Sequence, residues 1–155
     1  MASSRVPFQV SASRLIQAPA DRIYGIVADY RTGHPSILPP PFVSLAVEEG
    51  GVGAGTRILV TMRVMGRLQQ FRASISEPEP GRRLVEENFG SPASVTTFTV
   101  EPRGDRAANA TISTELQVRQ GLLGSLERFL IRRFLEPIYI KELNLLANRA
   151  AASGA

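Results

Sequence analysis

Residues 110–138 have the sequence ATISTELQVRQGLLGSLERFLIRRFLEPI. Up to Val118, apolar and polar side chains alternate, which is the period of a half-buried β-strand. After Gly121 the apolar side chains recur every three or four residues, which is the period of an amphipathic α-helix. The stretch therefore predicts a strand over residues 107–119 and a long helix from Leu123 to Ala151, kinked at Pro137. One apolar stripe is assigned to that helix: Leu126, Phe129, Leu130, Phe134, Ile138 and Leu145.

The chain before this stretch combines strand patterns with turn residues. Val6–Gln17 begins as a strand, a short helix is predicted from Ala20 to Asp29, and one more turn is predicted at Ser36–Leu38 before three prolines. Five further strand patterns are separated by turns, most of them rich in Gly or Pro: 42–48, 56–65, 68–77, 82–89 and 95–101. Sequential strands with short connections form antiparallel sheets.

This order of elements predicts one α+β domain over residues 1–155, with frayed ends at residues 1–5 and 152–155. Seven strands form a curved antiparallel sheet, two short helices lie between the first and second strands, and the long C-terminal helix covers the apolar face of the sheet. One helix cannot touch a curved sheet everywhere. We therefore expect an internal, mostly apolar cavity between the helix and the sheet, of the kind that binds small molecules.

The amino-acid composition argues against several classes of function. The chain has no Cys, and His34 is its only His, which argues against thiol chemistry and against a metal site; no cofactor is expected. It also lacks the Gly-x-Ser-x-Gly motif of many hydrolases. The 18 basic residues exceed the 14 acidic ones, but they are scattered along the chain, so nucleic acid is not an expected partner.

The same composition bears on location. No apolar run is long enough to span a membrane and the N-terminus lacks a hydrophobic secretion signal, so a cytoplasmic protein without stable membrane insertion is expected. Arg128, Arg132 and Arg133 allow transient contact with an anionic membrane, although a solvated helix face is the favoured interpretation. No feature of the sequence indicates an oligomeric state.

Several segments resemble a known family. Ala18–Tyr24 and Asp29–Tyr30, which open and close the first helix, and the corners GAGT (53–56) and SEPEPGRRL (76–84) are similar to those of the START-like, Bet v 1-like (SRPBCC) superfamily. The resemblance is to its bacterial polyketide cyclase/dehydrase-like domains in particular, and it extends from Ser11 to about Arg149. It implies the helix-grip fold. Members bind lipids, sterols, quinones, plant hormones or polyketides, a few catalyse cyclisation and dehydration, and no catalytic motif is common to all of them.

The favoured function is binding or transport of a small hydrophobic molecule, such as a lipid, a polyketide or a quinone-like compound, between sheet and helix. Six apolar residues are predicted to form the wall of the cavity because each lies on the inward stripe of its element: Met62, Phe71, Phe98, Leu116, Phe134 and Ile138. Tyr30 and His34 lie in or beside the loop after the first helix, which would border the cavity mouth.

Two other functions remain open. The first is a cyclase or dehydratase in which Glu87, His34 and Tyr30 are the acid–base candidates. If Val85 and Phe89 face inward, Glu87 also points into the cavity, where burial favours the neutral, proton-donating carboxyl; a shift of one residue would expose it. The second is a protein-binding module that uses the outer face of the sheet.

Overall fold

The computed structural model describes residues 4–90 and 92–152, which form a seven-stranded antiparallel sheet and its covering helices. The spatial order of the strands is β1-β7-β6-β5-β4-β3-β2. Their bounds are Arg5–Ile16 (β1), Phe42–Glu49 (β2), Arg57–Val64 (β3), Arg67–Glu79 (β4), Arg83–Asn88 (β5), Ser94–Pro102 (β6) and Ala108–Arg119 (β7). The predicted helix-grip architecture is confirmed.

Within the described part of the chain, three helical segments accompany the sheet. The helix α1 (Ala20–Ala28) and a 3₁₀ turn (His34–Ile37) lie between β1 and β2, as predicted. The long helix α2 (Gly121–Ala152) continues through Pro137 and packs against β1, β7 and α1. Of the residues predicted to fray, Arg5 is already paired with Arg119 and Ala152 is the last residue of α2, whereas residues 1–3 and 153–155 lie outside the described residues.

The antiparallel order sorts the connections into two groups. The β3–β4 and β5–β6 connections and the start of α2 lie at one end of the sheet, together with the first residues of β1. The β2–β3, β4–β5 and β6–β7 connections lie at the other end. The two ends of the sheet therefore carry different parts of the sequence.

The inward positions of the strands follow the predicted alternation. On β3, Ile58 and Val60 are buried, and on β5 and β6 the paired Leu84 and Phe98 are buried. On α2 the inward side is formed by Ile138, Tyr139, Glu142, Leu143, Leu146 and Ala150. Because these positions recur every three or four residues, they form one face of the helix.

The predicted apolar stripe of α2 is only partly correct. Phe134, Ile138 and Leu145 pack inward, but Leu126, Phe129 and Leu130 are 55%, 58% and 51% exposed. Phe129 and Ile138 are nine residues apart, which is about two and a half turns, so they lie on opposite faces. The first half of α2 thus has an apolar outer face. No helix within the described residues is long and apolar enough to cross a membrane.

Candidate functional site

A cavity of about 510 Å³ lies between the sheet and α2. Its apolar wall includes all six residues that the sequence predicts: Met62, Phe71, Phe98, Leu116, Phe134 and Ile138. At the end of the sheet where α2 begins, it is bordered by Gln69, Asn88, Gly90 and Gln117, which lie at or near strand ends. We call this side of the cavity the mouth.

A band of polar side chains crosses the cavity wall further in. Thr114 on β7 is paired with Thr96 on β6, which is paired in turn with Glu86 on β5. Opposite this band, His34 in the 3₁₀ turn and Glu142 on α2 also line the cavity. A ligand in the cavity would therefore be surrounded mainly by apolar groups and would meet polar groups at one position.

The loop after α1 holds His34 rigidly. Asp29 accepts hydrogen bonds from the backbone N–H groups of Arg31, Thr32 and Gly33, and the bond from the Thr32 hydroxyl is the main reason that its pKa lies below the ordinary value. Gly33 lies so close to α1 that a Cβ atom would be 2.6 Å from the Ile26 carbonyl oxygen. Only glycine fits this approach.

The His34 ring is fixed on three sides. Its Nδ1 lies 2.7 Å from the Val27 carbonyl oxygen. Tyr30 stacks on one face at a centroid distance of 4.4 Å, and Phe98 makes an edge contact at 5.3 Å. His34 is 2% exposed, so its free nitrogen faces the cavity and not bulk water.

Glu86 faces inward because it is paired with the buried Ile75 on the neighbouring strand β4. Its Oε1 accepts a hydrogen bond of 2.6 Å from the Tyr30 hydroxyl. Tyr30 is fully buried behind His34, and burial, followed by the charge of Glu86, raises the pKa of its hydroxyl. Tyr30 is therefore a hydrogen-bond donor that orients Glu86.

Glu142 and Tyr139 bring polar groups from α2 to the same place. The Tyr139 hydroxyl bonds with the Thr114 hydroxyl, which also bonds with Thr96 at 2.7 Å, and burial raises the pKa of Tyr139. Glu142 is 2% exposed, and burial and the nearby charge of Glu86 raise its pKa well above the ordinary range. No hydrogen bond to its carboxyl group is found within residues 4–90 and 92–152; the carboxyl group faces the cavity, and its Oε1 lies 3.9 Å from Nε2 of His34.

His34, Glu86 and Glu142 form what we call the carboxyl–imidazole cluster. Because a carbonyl oxygen only accepts, Nδ1 of His34 carries the hydrogen and donates it to Val27. Nε2 then faces Oε1 of Glu86 at 3.6 Å and Oε1 of Glu142 at 3.9 Å. A ring lone pair and two carboxylates would repel one another in a buried site, so the cluster holds an additional proton. Burial and the charge of Glu86 raise the pKa of Glu142, which favours the protonated form of its carboxyl group.

A comparison with models of protein families identifies the family to which the chain belongs. The model of the family described as "Polyketide cyclase / dehydrase and lipid transport" matches residues 7–151. The chain belongs to this family. The resemblance recognised in the sequence is thereby confirmed, and membership of this family supports a hydrophobic ligand-binding or cyclase role.

Solved structures agree on the fold of this family member. The Zhui aromatase/cyclase from Streptomyces sp. R1128 is 15% identical, with a TM-score of 0.79 and 97% of each chain covered. The protein TTHA0849 from Thermus thermophilus is 22% identical, with a TM-score of 0.78, and the match covers 96% of this chain and 100% of the other. A START superfamily protein from Mycobacterium smegmatis is 15% identical, with a TM-score of 0.72 and coverage of 96% and 99%. No curated protein matches the chain.

The structure brings most of the predicted site residues of this family member together. The six apolar wall residues and His34 line the cavity, but His34 is buried inside it and does not border the mouth as predicted, and Tyr30 lies one layer behind His34. Contact of these residues with a ligand stays a prediction.

Glu87 does not face the cavity, contrary to its proposed role as an acid–base residue. Its side chain lies on the outer, exposed face of β5, and Phe89, whose inward orientation was the condition for a buried Glu87, is 68% exposed. The inward face of β5 is marked by the fully buried Leu84, so the even-numbered residues face the cavity. Side chains alternate between the two faces of a strand. If Val85 is taken as the inward residue, Glu87 is predicted to face the cavity and Glu86 the solvent, which is the reverse of the observed orientation.

Four polar residues of the cavity wall were not among the predicted site residues: Glu86, Thr114, Tyr139 and Glu142. The register signal for Glu86 was available, since Leu84 is the largest apolar side chain within β5. Glu142 lies four residues after Ile138 and therefore on the same face of α2. A carboxyl group on the buried face of a helix is the signal that could have identified it.

Proposed function

We propose that this protein binds a small, mostly apolar molecule with one polar group and carries it without covalent change. A cavity of about 510 Å³ is within the range that holds small organic ligands. Its apolar wall favours a hydrocarbon or aromatic body. The protein family and the START-like neighbours support the same class of ligand.

The observation that carries the proposal is the buried Glu142 carboxyl group, which faces an otherwise largely apolar cavity with no hydrogen-bond partner among the described residues. Its oxygens are open to the cavity, so water can solvate them when no ligand is bound. A ligand that brings a carbonyl or hydroxyl group to Glu142 replaces this water with a direct hydrogen bond. The ligand is therefore oriented with its polar group at the carboxyl–imidazole cluster and its apolar body toward the mouth.

The test is binding of the apolar fluorescent probe N-phenyl-1-naphthylamine to wild type and to Leu116→Trp. Leu116 is half-buried near the mouth, so a larger side chain there fills cavity volume. The matched control is Leu15→Trp, because Leu15 is 51% exposed near the far end of β1, outside the cavity lining. We expect the cavity variant to bind the probe at least about tenfold more weakly and the control to bind like wild type.

Equal probe affinity in all three proteins would contradict the proposal. If Leu116→Trp does not fold, as judged by circular dichroism, Leu116→Phe takes its place. Native mass spectrometry of the purified wild type then identifies the physiological ligand by its mass.

A second function, general acid–base catalysis on a polyketide-like substrate, is favoured by the carboxyl–imidazole cluster. A neutral Glu142 carboxyl is a proton donor, and Nε2 of His34 is a proton acceptor within 3.9 Å of it. In the dehydration of a β-hydroxy ketone, His34 would take the proton next to the carbonyl. Glu142 would protonate the hydroxyl as it leaves, so that a C–H and a C–O bond break, a C=C bond forms and water departs.

This function is tested with a β-hydroxy ketone and detection of the enone by absorbance. Glu142→Gln keeps the side-chain volume but removes the transferable proton, so turnover should fall by at least about a hundredfold. Glu87→Gln is the matched control, because Glu87 is an exposed carboxylate on the neighbouring β5. If the wild-type protein shows no turnover, the catalytic function is rejected and the carrier function remains. If Glu142→Gln and Glu87→Gln show equal turnover, Glu142 is not the proton donor.

A further inference from the structure

Large apolar side chains surround the mouth of the cavity and face solvent. Met65 at the tip of the β3–β4 hairpin is 92% exposed, Phe89 after β5 is 68% exposed, and Leu122 at the start of α2 is 91% exposed. Neighbouring positions add to them: Leu68, Leu123 and Leu126 are also more than half exposed. Folded monomers rarely expose this many large apolar side chains on one side unless that side has a partner.

These residues lie together at one end of the sheet because the strands are antiparallel. The tip of the β3–β4 hairpin, the β5–β6 connection and the start of α2 all lie at the mouth end. The cavity lining reaches the same segments at Val64, Gln69, Gly90 and Gln117. The exposed apolar side chains are therefore continuous with the entrance to the ligand cavity.

The charge at this end is basic. Residues 57–76, 88–100 and 116–126, which include these segments, contain no Asp or Glu; Glu127 follows directly, lines the cavity and accepts a hydrogen bond from the Arg119 backbone N–H. Arg67 and Arg119 are exposed beside the apolar side chains, and no ion pair between described residues uses either of them. At the opposite end, carboxylates and arginines occur together and form ion pairs: Arg57–Glu49, Arg83–Glu79 and Arg103–Glu101.

We define the mouth surface as Met65, Leu68, Phe89, Leu122, Leu123 and Leu126 with Arg67 and Arg119. We propose that the mouth surface docks on an anionic phospholipid bilayer, from which the cavity takes up its ligand. This inference rests on the proposed function, since it names the source of the apolar ligand. Apolar side chains insert at the level of the head groups while adjacent arginines meet anionic lipids. An apolar ligand then passes from the bilayer to the cavity without crossing water.

The charge pattern selects this partner. Exposed apolar side chains alone would also fit a second copy of the chain. Arg67 and Arg119 make no ion pair between described residues, and the one carboxylate beside them, Glu127, is bonded to the Arg119 backbone, so two facing copies would bring like charges together, whereas an anionic lipid surface is complementary. Binding is therefore expected to require anionic lipid and to weaken with salt.

The first test is co-sedimentation of the wild-type protein with vesicles. Vesicles of phosphatidylcholine mixed with phosphatidylglycerol should bind the protein, and vesicles of phosphatidylcholine alone should bind it at least about tenfold more weakly. Raising the salt concentration should release it from the mixed vesicles. Absence of binding to mixed vesicles overturns the proposal.

Variants locate the binding surface. Arg67→Gln with Arg119→Gln should lower vesicle affinity at least about tenfold, because each basic residue near an anionic surface contributes about fivefold. Leu122→Ser with Leu123→Ser removes the insertion and should lower affinity to a similar extent. The matched control is Leu15→Ser with Arg106→Gln, which removes one apolar and one basic side chain at the opposite end of the sheet. Loss of binding in the control equal to that in the mouth variants overturns the proposal.

Two further measurements separate the alternatives. Sedimentation velocity of wild type and of the Leu122→Ser, Leu123→Ser variant tests the oligomeric state. If wild type is a dimer that does not bind vesicles, and the variant is a monomer, the mouth surface binds a second copy of the chain. That result overturns the proposal. Binding of N-phenyl-1-naphthylamine in solution tests the cavity independently. Probe binding without vesicle binding overturns the docking proposal and leaves the carrier function, whereas vesicle binding without probe binding supports docking and contradicts the carrier function.

Discussion

At the scale of single residues, Glu142 combines burial with a position facing the cavity. Burial and the charge of Glu86 raise its pKa well above the value of 4.5 that an exposed glutamate shows. The folded protein therefore keeps a proton that the unfolded chain releases. The stabilisation from this proton is complete below the unfolded pKa and is lost as the pH rises through the folded pKa.

The first prediction concerns this proton. Glu142→Gln should not show the loss, so its free energy of unfolding should increase relative to wild type as the pH rises above 4.5. Urea unfolding measured between about pH 4 and pH 8 checks this. Glu87→Gln, at an exposed position, should follow the wild-type curve. Parallel curves for wild type and Glu142→Gln would contradict the assignment of the proton.

At the scale of elements, α1 and the loop after it contain two glycines in opposite situations. Gly25 lies on the exposed side of α1, and a Cβ atom there would meet nothing within 4 Å. Gly33 packs against the Ile26 backbone, where a Cβ atom would be 2.6 Å from the carbonyl oxygen. The loop that carries His34 is thus attached to α1 at a contact that tolerates no side chain.

The second prediction compares these positions. Gly25→Ala should stabilise the protein by about 0.5–1 kcal/mol, because alanine favours the helical backbone. Gly33→Ala should destabilise it by about 1–3 kcal/mol, the usual cost of overpacking, and should displace His34. Urea unfolding measures both changes, and the His34 ring resonances in NMR spectra report the displacement. Similar effects of the two substitutions would mean that the loop adjusts without cost.

The third prediction concerns the two apolar faces of α2. Leu146→Ala should cost about 2–5 kcal/mol, because Leu146 is 1% exposed and its loss leaves a cavity. Phe129→Ala should change the free energy of unfolding by less than about 0.5 kcal/mol, because that ring faces solvent. Urea unfolding gives both values. A large cost for Phe129→Ala would restore the single stripe that the sequence pattern predicts.

At the scale of the whole molecule, the cavity couples ligand binding to stability. The wall combines side chains from β3, β4, β6, β7 and α2, so the site exists only when sheet and helix are assembled. A ligand that binds only this assembled state stabilises it by mass action.

The fourth prediction follows from this coupling. A hundredfold excess of ligand over its Kd stabilises the folded state by about 2.7 kcal/mol, which for a chain of this length raises Tm by about 5–10 °C. Differential scanning calorimetry with N-phenyl-1-naphthylamine should show such a shift for wild type and Leu15→Trp. Leu116→Trp should show little or none; an undiminished shift in that variant would place the probe outside the cavity.

The sequence by itself determined the class of fold and the apolar wall. Alternation along Ala110–Val118 and the helical period after Gly121 are local consequences of backbone geometry, and they suffice to set the inward positions of strands such as Ile58–Val64. The six predicted wall residues line the cavity for this reason. Turn residues between the strands made the antiparallel order predictable as well.

Only the tertiary structure decided which polar groups meet in the cavity. Glu86 rather than Glu87 faces inward because the six-residue β5 is too short for its own pattern to define a face, and its register is set by pairing with β4 and β6. Glu142 is inward because the face that α2 presents is chosen by packing against β1, β7 and α1, and α2 is apolar on both sides of its first half. The carboxyl–imidazole cluster joins residues from three separate elements, and no local pattern encodes their distance from one another.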